Sequence, residues 1–164
     1  MTVPTFVDGS PATQEALVFA LTVPYCHAWT AGTISLADST ITTIDHTMER
    51  YPNDSGGMHS TTVNPSRITV VTPGEYELLA QVAWETSAVG ARFATIRKNG
   101  TDTLGRLQVA ASPSGGTIGL VAAEDSAVAG DYYEVTMLQN TGDVLAVRTG
   151  LSNTWFSVKW IRAT

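Results

Sequence analysis

The chain has 164 residues, 43% of them hydrophobic and 15% charged, with a formal net charge of −6; this length suits a single domain that buries roughly two-thirds of the surface exposed on unfolding, and the composition lies outside the signature of disorder. The nine Lys and Arg are scattered, so a phosphate-neutralising cluster is missing and nucleic acid is not an expected partner. The longest apolar run, Ala16-Leu17-Val18-Phe19-Ala20-Leu21, is too short to insert across a membrane, and Met1-Thr2-Val3-Pro4 lacks the basic start of a secretory signal.

Residues 1–24 read as a separate N-terminal docking arm. Ser10-Pro11 supplies an N-cap and a first helical residue, and Leu17, Val18 and Leu21 form an apolar stripe at helical spacing before Val23-Pro24 stops the helix. One so short is marginal alone and needs a surface to cover its stripe. From Tyr25 the pattern changes to short β-branched and aromatic runs divided by Gly, Pro, Asn and Asp, so residues 25–164 read as one β domain. Cys26, the single cysteine, makes neither an intrachain disulfide nor a metal site and reads as an inert thiol.

Further along, Thr33–Leu36, Ile41–Met48 and Arg67–Val71 are short strand candidates. Pro73-Gly74 turns into a long strand, Glu75–Trp84, whose set Tyr76, Leu78, Ala80, Val82 and Trp84 is predicted to face the core. Asn99-Gly100 after Arg92–Lys98 marks a hairpin. Leu104–Ala110, Thr117–Ala123 and Val144–Arg148 are further candidates; Gly130–Leu138 alternates Tyr133, Val135 and Met137 inward. Trp155–Ile161 closes the chain with Phe156, Val158 and Trp160 on one face. About ten strands with no helix between them predict an all-β, antiparallel jelly-roll β-sandwich, an up-and-down barrel being the lesser alternative.

The chemistry-bearing residues give little support to catalysis. His27, His46 and His59 stand in no ligand-pair spacing, and Asn53-Asp54-Ser55-Gly56-Gly57 lacks the ligand spacing of a calcium loop. Glu124, Asp125 and Asp131 are the carboxylates that a glycosidase reading would use, with the required separation undetermined by sequence. No nucleophile elbow, phosphate loop or dinucleotide fingerprint occurs. The expectation is no enzyme, no cofactor and no metal.

The order of Tyr51-Pro52-Asn53-Asp54-Ser55-Gly56-Gly57-Met58-His59, Gly74-Glu75-Tyr76, Gly90-Ala91-Arg92 through Asn99-Gly100, Gly130-Asp131-Tyr132-Tyr133-Glu134-Val135 and Phe156-Ser157-Val158-Lys159-Trp160-Ile161 resembles jelly-roll proteins of actinobacterial phages and their hosts, and the complement-head and tumour-necrosis-factor type of jelly roll. The resemblance covers residues 25–164, and Val3-Pro4-Thr5-Phe6 is similar to the opening of phage minor tail proteins. It implies a homotrimer, and a virion-surface role as a capsid decoration protein or tail appendage made in the host cytoplasm. The expected docking residues are Phe6, Leu17, Val18 and Leu21, on major capsid or tail proteins; an exposed loop with Tyr51, Asn53, Asp54 and His59, together with Ala111–Gly116, would bind partners. The alternative is a receptor-recognition module for a host-surface glycan or a protein.

Overall fold

The computed structural model describes residues 23–164, with backbone alone at 51–53. No helix occurs among them, and the strands in chain order are β1 Tyr25–Trp29, β2 Ile34–Leu36, β3 Thr42–Thr43, β4 Met48–Asp54, β5 Ile68–Thr69, β6 Gly74–Trp84, β7 Ala91–Lys98, β8 Asp102–Ala110, β9 Thr117–Ala127, β10 Tyr132–Gln139, β11 Leu145–Val147 and β12 Trp155–Arg162. Sheet A runs β2-β11-β6-β12-β1-β4, with β9 on the other edge of β6; sheet B runs β3-β10-β7-β8, with β5 also on β10. All these pairings are antiparallel. The sheets face each other across one core, which makes the domain a jelly-roll sandwich.

Alternation along β6 builds one wall of that core. Tyr76, Leu78, Ala80, Val82 and Trp84 have no exposed surface, as their spacing predicts, and each fully buried large apolar side chain contributes about 1.5–3 kcal/mol. From sheet B, Tyr133, Val135 and Met137 of β10 meet them, with the rings of Tyr76 and Tyr133 tilted at 6.3 Å. Phe156 and Val158 of β12 are buried, while Trp160 is partly covered and donates its indole N–H to the Pro73 carbonyl at 3.2 Å. Asn99 and Gly100 both take positive φ, 52° and 76°, and Thr101 N–H closes the turn on the Lys98 carbonyl at 3.2 Å; this is the twist-matched hairpin that Asn-Gly predicts.

Two strands were not anticipated, β1 and β4, and one expectation is corrected. Ile41–Met48 is not a single strand: β3 in sheet B is only Thr42–Thr43, and Met48 already begins β4 in sheet A. The intervening residues cross between sheets, with Ile44 N–H bonded to the Val135 carbonyl and His46 N–H to the Pro65 carbonyl, both at 2.9 Å, and with both side chains fully buried. The expected helix and the docking residues Phe6, Leu17, Val18 and Leu21 lie outside the described residues. No helix of the described residues is long and apolar enough to cross a membrane.

Candidate functional site

The Gly-Met-His segment hangs from the end of β4. Asp54 accepts the Met58 N–H at 2.7 Å and the His59 N–H at 3.4 Å, closing a turn through Gly57 at φ 61°, a left-handed conformation that favours glycine. Met58 then enters the core at 1% exposure. The His59 imidazole has no exposed surface; Nδ1 lies 2.8 Å from Glu49 Oε1, and Nε2 lies 3.1 Å from the Pro65 carbonyl oxygen. Both partners are hydrogen-bond acceptors. Of the residues expected on an exposed loop, Tyr51, Asn53 and Asp54 stand on β4, where Asp54 pairs with Cys26 of β1 and residues 50–53 fall in the bulge between that pair and Glu49–Ala28, and His59 bridges to Ile68. Beside this turn a depression of about 480 Å³ is bordered by Ser60, Asn64, Arg67 and Tyr132. Arg67 lies over the Tyr132 ring at 4.1 Å and donates to Glu134 Oε1 at 3.0 Å.

His46 is fully buried, with Nδ1 3.3 Å from Thr30 Oγ1 and no partner for Nε2 among the described residues. Burial, aided by His59 and His27, pushes its pKa down to about 3, because desolvation disfavours the charged ring. His27 stacks on Trp155 at 4.9 Å, and burial, then Arg50, lowers its pKa. No group of three His, Cys, Asp or Glu among the described residues is placed to hold a metal ion. The Cys26 thiol is buried and its pKa is raised, first by burial and then by Asp54 and Glu49; the thiolate that reactivity requires is suppressed.

The three acidic residues separate. Asp125 and Asp131 are tied together by Lys98, whose Nζ lies 2.8 Å from one carboxylate and 3.1 Å from the other. Asp125 also accepts the Tyr133 hydroxyl at 2.9 Å, and Asp131 accepts Asn99 Nδ2 at 2.9 Å and the Val128 N–H at 3.0 Å. The Asn99 bond, then the Val128 N–H, holds the Asp131 carboxyl below its ordinary range. This clamp joins β7, β9 and β10, and at Asp131 it favours the ionised carboxylate over the protonated acid that glycoside cleavage needs. Glu124 points to the opposite face of β9 and is exposed.

That outer face of sheet A is unusually apolar. Register across five strands places Leu120, Gln81, Trp155, Trp29 and Met48 in one row. Leu120 and Ile118 are each 53% exposed and Met48 is 43% exposed; Leu79 is half-buried in the neighbouring row. A row further on, Glu124, Glu77 and Lys159 stand side by side. Sequence reasoning did not single these residues out, although a signal was present: along β9 the alternate sets Ile118, Leu120, Ala122 and Val121, Ala123 are both apolar, the mark of a strand covered on two faces.

A comparison with protein-family models finds no match, and neither does a search of curated proteins. Solved structures are similar in fold. The globular domain of zebrafish complement 1qA protein has a TM-score of 0.61 at 12% identity, over 86% of this chain and 99% of that one. Murine APRIL at pH 5.0 reaches 0.64 at 14% identity over 85% and 100%, and the Eiger TNF of S. frugiperda 0.62 at 13% over 87% and 94%. The described domain thus has the jelly-roll fold of the complement-head and tumour-necrosis-factor type.

Proposed function

We propose that three copies of this chain associate through the outer face of sheet A into a non-enzymatic jelly-roll trimer. The observation that carries this is the row Leu120, Gln81, Trp155, Trp29, Met48 with its neighbours Ile118 and Leu79. Association costs about 4–15 kcal/mol in lost translational and rotational freedom, and burying a fully exposed large apolar side chain gains about 1.5–3 kcal/mol; the six apolar residues here start about half-covered or better and contribute at most about half of that each, a sum of the order of the lower part of that cost. Three copies, not two, is what the resemblance to complement-head jelly rolls implies. Sedimentation equilibrium of the full chain tests the proposal: a trimer is expected for the native sequence and a monomer for Leu120→Glu with Ile118→Glu. A native monomer overturns it.

We further propose that the trimer is a surface component of a phage particle, a capsid decoration protein or tail appendage, docked by residues 1–24 on major capsid or tail proteins. Support comes from the motif order around Gly56-Gly57-Met58-His59 and Asn99-Gly100 and from the apolar stripe Leu17, Val18, Leu21. Deletion of residues 1–22 should abolish incorporation into particles, whereas unchanged incorporation removes the docking role. A second reading, a recognition module for a host-surface glycan or a protein, is favoured by the open, polar outer face of sheet B, which lies on the side of the sandwich away from the association face. Binding of the purified chain on a glycan array separates it from a purely structural role.

A further inference from the structure

The outer face of sheet B holds a groove of about 410 Å³, within the range of roughly 300–1,000 Å³ found for small-molecule sites. Register stacks three rows there: Gln108, Phe93 and Leu138; Arg106, Thr95 and Thr136; Thr103, Arg97 and Glu134. Phe93, Arg97, Arg106 and the three threonines line the groove.

Arg67, Lys98, Arg148 and Arg162 each pair with a carboxylate, whereas Arg50, Arg92, Arg97, Arg106 and Lys159 pair with none among the described residues. Of these five, Arg92 is buried on backbone carbonyls, and Arg97 and Arg106 are the two that line the groove. Glu134, beside Arg97, gives Oε1 to Arg67 and to Ser66 at 3.0 and 3.1 Å. The Arg97 Nε is shut off from solvent without an acceptor among the described residues, and its Nη1 reaches only the Gly100 carbonyl, at 3.4 Å. Arg106 lies 6.0 Å over the Phe93 ring, at the outer limit of about 6 Å for cation–π attraction, so its guanidinium is weakly held. A chain of net charge −6 thus places two uncompensated guanidinium groups in one concavity.

We propose that this groove binds a sugar residue carrying an anionic group, a carboxylate or a sulfate ester. Arg97 and Arg106 take the anion through charge-assisted hydrogen bonds, the threonine hydroxyls meet ring hydroxyls, and Phe93 takes an apolar sugar face. The overall negative charge opposes a polyanion, and two cations are far short of the phosphate contacts that nucleic acid requires. An extended peptide that adds as a strand needs an unpaired edge; β8 has one, but the groove opens on the face of the sheet over β7 and β10, which are hydrogen-bonded on both sides. The inference rests on the recognition reading above and names its ligand class.

The test is titration of the full chain, by calorimetry or by amide chemical shifts, with methyl glucuronide, glucose 6-sulfate, neutral methyl glucoside and a tri-aspartate peptide. An anionic sugar is expected to bind at least about tenfold tighter than the glucoside, a difference of about 1.4 kcal/mol, and the better of the two identifies the group. Arg106→Gln, on an exposed position of β8, should lose that preference without a change in melting temperature, and Arg97→Gln should lose it as well. Equal binding of the neutral and anionic sugars overturns this inference and leaves recognition standing. Binding of no saccharide, here or on the array, overturns this inference together with the glycan form of the recognition reading, and leaves a protein as its ligand. Tighter binding of the peptide overturns the assignment to a sugar.

Discussion

His46 sits where the chain crosses between sheets, fully buried and with Nε2 unsatisfied among the described residues. The folded chain keeps this ring neutral down to about pH 3, whereas the unfolded chain protonates it near pH 6.5. The unfolded state therefore binds more protons between those values, and stability that is complete above pH 6.5 falls as pH drops toward 3, by up to about 1.4 kcal/mol per pH unit from this group. His27, lowered in the same direction, adds to the slope. Urea unfolding at pH 7.5, 6.0 and 5.0 should show the decline, and His46→Asn, whose amide keeps a donor to Thr30 Oγ1 while the Thr30 hydroxyl donates to the Asp45 carbonyl, should flatten it; an equal slope in the variant would show that other groups carry the effect. Side-chain partnerships of this kind were the least legible part of the sequence. Arg92 belongs to a recognisable motif, yet its role is to donate from a fully buried position to the carbonyls of Ser87, Val89 and Ala91 at 3.1–3.3 Å, and backbone acceptors leave no residue signature. Lys98 finds Asp125 and Asp131 only once β7 and β10 of sheet B pack against β9 of sheet A, and His59 finds Glu49 only once β4 and its turn are formed.

Among the elements, the strands legible in advance are those where one alternating set is apolar and turn residues stand at the ends, as in β6 and in the hairpin of β7 and β8. β1 lacked that contrast because Cys26, His27 and Ala28 are all buried: the inward residues face the core, and His27 stacks beneath Trp155 on the outside. β4 contains Pro52, Asn53 and Asp54, residues averse to strands, and it is tolerated because this strand is the edge of sheet A and pairs only with β1. The seam between sheets was equally hidden. Gly105 on β8 lies so close to β9 that an added Cβ would stand 2.8 Å from the Ala122 carbonyl oxygen and 3.1 Å from Val121 Cγ1. Ala122 stands in the ladder with β6, opposite Leu79, so the strand that carries this carbonyl cannot retreat without loosening that pairing. Gly105→Ala should therefore destabilise the domain by about 1–3 kcal/mol, the usual cost of overpacking, read as a lower urea midpoint at unchanged slope. A midpoint equal to the native one would mean that the edges of the two sheets part freely.

At the scale of the whole molecule the two outer faces of the sandwich have opposite characters, and alternation alone does not reveal this, because it separates inside from outside without saying what the outside meets. Sheet A presents Ile118, Leu120 and Met48 to solvent in the single chain, whereas the outer rows of sheet B carry Thr95, Arg97, Arg106 and Thr136. If sheet A is the face by which copies associate, folding is linked to assembly, and apparent stability must depend on chain concentration. A tenfold dilution of a trimer removes about 1 kcal/mol per chain by mass action, and at this length that corresponds to a fall in melting temperature of about 2–4 °C. The monomeric variant Leu120→Glu with Ile118→Glu should melt at one temperature at every concentration, because its folding equilibrium contains no association step. Scanning calorimetry of both chains across two decades of concentration makes the comparison. A native melting temperature independent of concentration would mean that the apolar face of sheet A is not covered by a second copy during unfolding, and the trimer would lose its main physical support.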